Sequence, residues 1–357
     1  MNETSMNSSS VTIQVPLQFV VTVSVGTPVL SQSPAQVVSR RDLPFELEGQ
    51  ATPLLPAIDT ATFHRDALAQ STFTWKAAQS LALASKLAYE TDDAVNSTCV
   101  TGTRNWGFES CEFIDVDDTQ CFVALTSEFA LVSFRGTESR GDWLRNINVP
   151  GRTRDYGVVH RGFLGAFQAV ESRLRSALSE IGDRKLIVTG HSLGGALATV
   201  IAAEWQAFLP AAWVVTFGQP AAGSGSFRMF FVQHYGGRFF RFVNDDDIVP
   251  RVPPGYEHVG RLLHFDSRGR LRNGASLPSS EQESVSSMQQ ESISAGPPML
   301  TEAEYRSLQS QIGQEVIRVN RSLTESQRAP QMEGLFPSIS DHNLDTYISK
   351  IVANSGG

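Results

Sequence analysis

The chain has 357 residues, of which 41% are hydrophobic and 18% charged. That is enough to bury a sizeable core in one large domain or two ordinary ones, and it excludes wholesale disorder. Twenty-nine Lys and Arg against thirty-seven Asp and Glu give a net charge of −8, with no basic run longer than two residues, so a nucleic-acid partner gripped through a cationic face is excluded. No uninterrupted apolar run reaches the ~18 residues of a spanning helix, so no transmembrane segment is expected.

Residues 4–39 carry no charge. Within them Val11, Ile13, Val15, Leu17 and Phe19 alternate with polar residues, as do Val21, Val23 and Val25. Period-two alternation is the pattern of a strand with one buried face, whereas a secretory signal needs a positive segment before its apolar stretch. A strand or hairpin is therefore expected, in a β-rich N-terminal extension. Residues 26–60, punctuated by Pro28, Pro34, Pro44, Pro53 and Pro56, read as a connector. The expected organisation is an extension and connector over 1–60 and the main domain over 61–357.

An amphipathic helix is predicted over roughly 71–90, carrying Trp75, Ala78, Leu81, Ala82 and Leu87. Cys99, Cys111 and Cys121 fall within 23 residues of one another. An odd, low count argues against a disulfide framework, and no paired C-x-x-C metal spacing occurs; buried thiols are expected, with a Cys99–Cys111 bridge left open. Strands are predicted at Phe122–Leu125 and Phe129–Phe134, the second ending at Arg135-Gly136-Thr137. A helix over about 163–181 leads to a strand at Lys185–Thr189, which Gly190 is expected to break, and then to a helix over about 194–208. Further strands follow at Trp213–Phe217 and Phe239–Val243. Short apolar strands alternating with helices indicate an α/β fold with a mostly parallel central sheet covered by helices on both faces. Residues 267–300 are rich in Ser, Gln and Gly and read as a mobile surface insertion. Thr301-Glu-Ala-Glu304 is a capping box that opens a helix to about 323, so a polar insertion is expected over about 267–337.

The segment with the most chemistry is Gly190-His191-Ser192-Leu193-Gly194, followed by Gly195. In G-x-S-x-G the serine sits on a strained strand-to-helix turn, and the glycines avoid clashes with the flanking strand and helix. The turn exposes Oγ and sets the next N–H at a helix N-terminus, where negative charge is favoured. A serine needs an adjacent base oriented by a third group, in the chain order Ser, Asp or Glu, His. Downstream lie Asp245-Asp246-Asp247, at a strand end, and four histidines: His234, His258, His264 and His342. Spacing alone does not choose among them.

With these residues in view, the chain resembles the class 3 (fungal-type) lipases of the α/β-hydrolase superfamily. Val132-Ser-Phe-Arg-Gly-Thr137 resembles that family's strand and oxyanion turn, and Val159-His-Arg-Gly-Phe163 its helix entry. Thr216-Phe-Gly-Gln-Pro220 resembles the strand after the elbow, Asp247-Ile-Val-Pro250 the acid motif, and Asp341-His342-Asn-Leu-Asp-Thr-Tyr347 the histidine motif. The matches run in the family's order over roughly 70–267 and 336–350.

The resemblance implies an α/β-hydrolase fold and a Ser192, Asp247, His342 triad, with Thr137 and the Leu193 N–H as oxyanion donors. It makes residues 138–150 a lid whose Trp143, Leu144 and Ile147 meet substrate. Asp245 and Asp246 then become loop residues, His258 and His264 structural, and His191 a packing residue under the turn. The implied reaction is acylglycerol hydrolysis at an oil–water or membrane interface, without metal or organic cofactor. Phospholipid or galactolipid A1-type hydrolysis, feruloyl or short-chain esterase activity, and a non-catalytic lipase-like scaffold are the alternatives. Secreted members carry disulfides and a signal peptide that are not clear here, so a cytoplasmic setting is expected, with secreted or membrane-peripheral as the alternative.

Overall fold

A computed structural model of the chain describes residues 12–14, 20–22, 61–103, 105–137, 140–272, 277, 296–322 and 340–355. The chain divides into two units, Met1–Gln50 and Ala51–Gly357. In the first, β1 (Thr12–Gln14) pairs antiparallel with β2 (Val20–Thr22), as the alternation predicts.

The second unit is built on a seven-stranded sheet. Its strands are β3 (Ser110–Val116), β4 (Thr119–Leu125), β5 (Phe129–Phe134), β8 (Lys185–His191), β9 (Ala211–Phe217), β10 (Phe239–Asn244) and β11 (Arg261–Phe265), in the order β11-β10-β9-β8-β5-β4-β3. From β5 to β11 the pairing is parallel, and β3 and β4 complete one edge as an antiparallel meander. A separate ribbon pairs β6 (Gly151–Arg154) with β7 (Gly157–His160).

Successive strand residues point to opposite faces, so each central strand feeds two cores. Val132, Val188 and Val214 join one, under the helices α5 (Arg161–Ala177), α6 (Leu193–Trp205) and α7 (Gly225–Tyr235). Leu131, Ile187 and Val215 join the other, against α2 (Trp75–Leu87) and the C-terminal α9 (Leu344–Ser355). Both faces of the strands are buried, which is why they read as continuous apolar runs. A largely parallel sheet covered on both sides, with the elbow between β8 and α6, is the α/β-hydrolase fold.

The helix predicted over 71–90 is α2, started by Thr74, whose Oγ1 accepts from Ala77 N at 3.2 Å; a short helix, α1 (Arg65–Ala69), precedes it. After it, α3 (Asp92–Asn96) leads into a wider turn, Ser97–Thr101. Two strands of the main sheet, β3 and β11, lie where no strand is predicted. Both are edge strands, with polar residues such as Glu112, Asp115, Arg261 and His264 among the apolar ones, and an edge has no second strand to demand an apolar run. Gly190 does not break β8, which continues through it to His191. The turn falls at Ser192. Between β5 and β6 lies α4 (Arg140–Asn146), and the capping box opens α8 (Glu302–Ser322). The insertion expected at 267–300 lies mostly outside the described residues.

Candidate active site

Ser192 sits at the start of α6 with φ 59° and ψ −130°, a left-handed backbone that side chains rarely adopt. The sequence pattern accounts for how the turn tolerates it. A Cβ at Gly190 would lie 2.3 Å from Gly194 C and O, and a Cβ at Gly194 would lie 2.2 Å from Phe134 O. Gly190 lets helix and strand meet; Gly194 lets the helix lie on the end of β5. Ser192 N donates to Phe217 O at 2.9 Å, tying the turn to β9. Its side chain is 3% exposed.

Beyond β9, Gly218 has φ +57°, and a Cβ there would lie 2.8 Å from His342 Cε1 and Nδ1 and 2.9 Å from Asp247 Oδ2. Only a glycine leaves that room. His342, on the turn before α9, and Asp247, on the turn after β10, are both fully buried. His342 Nδ1 lies 2.8 Å from Asp247 Oδ2 and 3.0 Å from Oδ1. A carboxylate can only accept, so the proton is on Nδ1 and Nε2 is the basic nitrogen. Asp247 is held in turn by Val249 N, which donates to Oδ1 at 2.9 Å, and by the Tyr347 hydroxyl, which donates to Oδ2 at 2.6 Å. Burial and the Asp247 charge hold the Tyr347 hydroxyl well above the usual phenol range, so it stays protonated and donating.

The other candidate carboxylates and imidazoles are occupied elsewhere. Asp245 pairs with Arg272, and its carbonyl accepts from His264 Nε2 at 2.7 Å. Asp246 is exposed. His258 donates from Nε2 to Pro250 O at 2.5 Å, and burial with the nearby Arg241 charge pushes its pKa well down. His234 lies in the last turn of α7. His191 lies under the turn: its Nε2 donates to His342 O at 2.8 Å, its Nδ1 accepts from Tyr89 Oη at 2.8 Å, and its ring stacks 4.5 Å from that of His342. One nitrogen braces the neighbouring histidine and the other is tied to Tyr89.

Leu193 N–H opens α6, in the first helical turn, where the N–H groups lack helical partners. Thr137 follows Gly136, and a Cβ at Gly136 would come within 3.0 Å of Ser192 Cβ, so the two turns abut. Next in the chain, α4 carries Trp143, half-buried against the core, and fully buried Leu144; Ile147, just past its end, is 3% exposed. Sequence reasoning did not single out Tyr347 or Tyr89. Tyr347 stood within the quoted histidine motif; nothing local marks Tyr89, which reaches the elbow from 102 residues away. Among the described residues, no group of three His, Cys, Asp or Glu is placed to hold a metal ion, and no helix is long and apolar enough to cross a membrane.

Residues 131–257 match the model of the family Lipase (class 3). This segment is similar to the class 3 lipases. Around it, the chain is 38% identical over 146 residues to secreted mono- and diacylglycerol lipase 1 of Fusarium solani, covering 38% of this chain and 44% of that protein. It is 29% identical over 252 residues to triacylglycerol lipase OBL1 of Arabidopsis thaliana, covering 52% of this chain and 48% of that one. The solved triacylglyceride lipase of Rhizomucor miehei is similar at 25% identity and a TM-score of 0.43, over 54% of this chain and 79% of that one. The chain spans about half the length of the curated relatives it matches. The matched segment holds the elbow and Asp247; His342 lies beyond its end.

Proposed function

We propose that the chain is a serine carboxylic-ester hydrolase of acylglycerols, with residues 61–357 as its catalytic domain and 1–60 as an extension. Ser192 Oγ attacks the ester carbonyl while His342 Nε2 takes its proton. Asp247 keeps the imidazole in the Nδ1–H tautomer and stabilises the imidazolium. The oxyanion is met by the N–H groups of Leu193 and Thr137, each such donor being worth about 2.7–4 kcal/mol in a transition state. His342 returns the proton to the leaving alkoxide, and a water deprotonated by the same nitrogen then releases the fatty acid. No step calls for a metal or an organic cofactor.

The observation that carries this reading is the buried Asp247–His342 pair at 2.8 Å, seated against Gly218 where the strand next to the elbow ends. Acylglycerols lead among esters because the Fusarium and Arabidopsis relatives are named for them. The helix over Arg140–Asn146 serves as the lid, its Trp143 and Leu144, with Ile147, facing lipid when open. The Fusarium relative is named as secreted, and a secreted setting, the alternative in the sequence reading, is proposed in place of the cytoplasmic one.

The test is hydrolysis of a p-nitrophenyl ester series from acetate to palmitate, and of trioleoylglycerol, with Ser192→Ala beside the wild type. Turnover that vanishes in the variant is expected. Absence of turnover on every ester by the folded wild-type protein would refute the reading in favour of a non-catalytic scaffold.

A further inference from the structure

The helix α8 belongs to the polar insertion between Asp247 and His342, and the proposed reaction leaves it without a part. Its N-terminus is fixed by a reciprocal cap: Glu304 N donates to Thr301 Oγ1 at 3.2 Å, and Thr301 N donates to Glu304 Oε2 at 2.8 Å. The residues before it are pinned beside the acid loop, with Leu300 N donating to Arg251 O at 2.9 Å and Arg251 Nε donating to Pro298 O at 3.0 Å. Leu300, Tyr305 and Ile312 are buried in the same core as Leu144 and Ile147. The root of the helix is therefore anchored four residues past Asp247.

Its contacts with α4 are polar and fall on particular atoms. Tyr305 Oη donates to Leu144 O at 2.8 Å, and Gln309 Nε2 donates to Arg145 O at 2.5 Å. Asn148 Nδ2, two residues past α4, donates to Glu302 Oε2 at 3.3 Å. The last four carbonyls of any helix have no partner within it. Leu144 and Arg145 hold two of those carbonyls in α4, and both are capped by α8, from residues four apart on one helix face. If α4 swings away, these caps are lost and the buried Tyr305 hydroxyl with them, which costs more than exposing apolar side chains alone.

We propose that α8 is a latch that holds α4 shut over Ser192, and that a lipid surface opens the site only by offering the apolar side of α4 enough burial to outweigh these caps. This rests on the ester-hydrolase reading above. The latch makes the resting enzyme slow on dissolved esters and ties interfacial activation to an insertion far from α4 in the chain.

The experiment compares the wild type with Tyr305→Phe and Gln309→Ala; the phenylalanine keeps the buried ring and removes only the hydroxyl. Two readouts are taken: kcat/KM on p-nitrophenyl butyrate below its solubility limit and on emulsified tributyrin, and deuterium uptake by the peptide covering 140–148. Each variant is expected to gain about fivefold on dissolved substrate, equivalent to about 1 kcal/mol, with a smaller jump on emulsion and faster uptake at 140–148. Unchanged uptake with unchanged rates, or an equal fall on both substrates, would overturn the latch and leave the hydrolase reading standing. Faster uptake in variants of a protein without ester turnover would support the latch contacts and refute the hydrolase reading.

Discussion

Tyr347 donates its hydroxyl proton to Asp247 Oδ2 at 2.6 Å, while its own Oη accepts from Asn244 N at 3.0 Å. The phenol thus joins the end of β10 to the acid three residues beyond it, from a helix that begins two residues after His342. Acid and base are placed by one C-terminal segment. Tyr347→Phe should lower kcat by about tenfold with KM little changed, because Asp247 loses a donor while the acyl site is untouched. Steady-state kinetics on a dissolved ester checks this; a change confined to KM would contradict it.

Asp247→Asn should cost about 10⁴ in kcat by turning the imidazole to the wrong tautomer. Asp246→Ala should leave it unchanged, since that carboxylate is exposed. Neither neighbour can stand in for Asp247, as Asp245 is held by Arg272. An Asp247→Asn enzyme retaining a tenth of the rate would show that another carboxylate serves.

His160 is buried, with Nε2 donating to Ile147 O at 2.6 Å and Nδ1 accepting from Phe163 N at 3.2 Å, and burial lowers its pKa to about 4. The unfolded chain takes up this proton near pH 6.5 and the folded chain does so only near pH 4, so below pH 6.5 the unfolded state binds more protons. Stability should therefore fall as the pH drops from about 6.5 to about 4, by roughly 3 kcal/mol from this residue. Urea midpoints at pH 7 and pH 4 measure it. His160→Gln should shrink the difference between them, and an unaltered difference would remove His160 from the account.

Gly194→Ala drives a methyl to 2.2 Å from Phe134 O, a backbone atom that cannot swing aside. A loss of about 2–3 kcal/mol in stability is expected, read from chemical denaturation. Gly165→Ala, on α5 with nothing within 4 Å, should be neutral or slightly stabilising.

The thiols give a further measurement. Cys99 and Cys121 are fully buried with pKa values pushed upward, Cys121 by burial and Cys99 first by its hydrogen bond to Cys111 and then by burial. A disulfide reagent should titrate no more than one thiol, Cys111, in the native protein and all three after denaturation. One reactive thiol after denaturation would instead report a Cys99–Cys111 bridge in the protein as made.

What the sequence made legible follows from how tightly each feature binds residue type. The elbow was readable because Ser192 at φ 59° leaves no choice but glycine at 190 and 194. The central strands were readable because burial on both faces forces apolar runs, as in Leu186–Val188. The edge strands β3 and β11 were not, since polar residues such as Glu112, Asp115, Arg261 and His264 interrupt their apolar runs. His342 could be chosen over His258 and His264 only through the family's motif, because spacing does not record that the latter two are tied to the carbonyls of Pro250 and Asp245. The contacts of α8 with α4 join residues 161 and 164 positions apart, a separation at which local pattern carries no signal.

The C-terminal helix also closes a ring. Lys350 Nζ donates to Asp266 O at 2.9 Å, Asn354 Nδ2 to Gly269 O at 2.9 Å, and Asn244 Nδ2 to Asp341 O at 2.8 Å. The chain thus leaves the sheet after β11 and returns for His342 through neighbouring points that are fastened to each other. Apart from Pro298–Leu300 and α8, which are fixed against Arg251 and α4, what lies between can change length without moving the nucleophile, base or acid, because the entropy of closing a longer excursion rises only slowly with its length. The fold carries a cassette port, a place where evolution or an engineer can splice in a sensor, an anchor or a second activity and leave the chemistry in register.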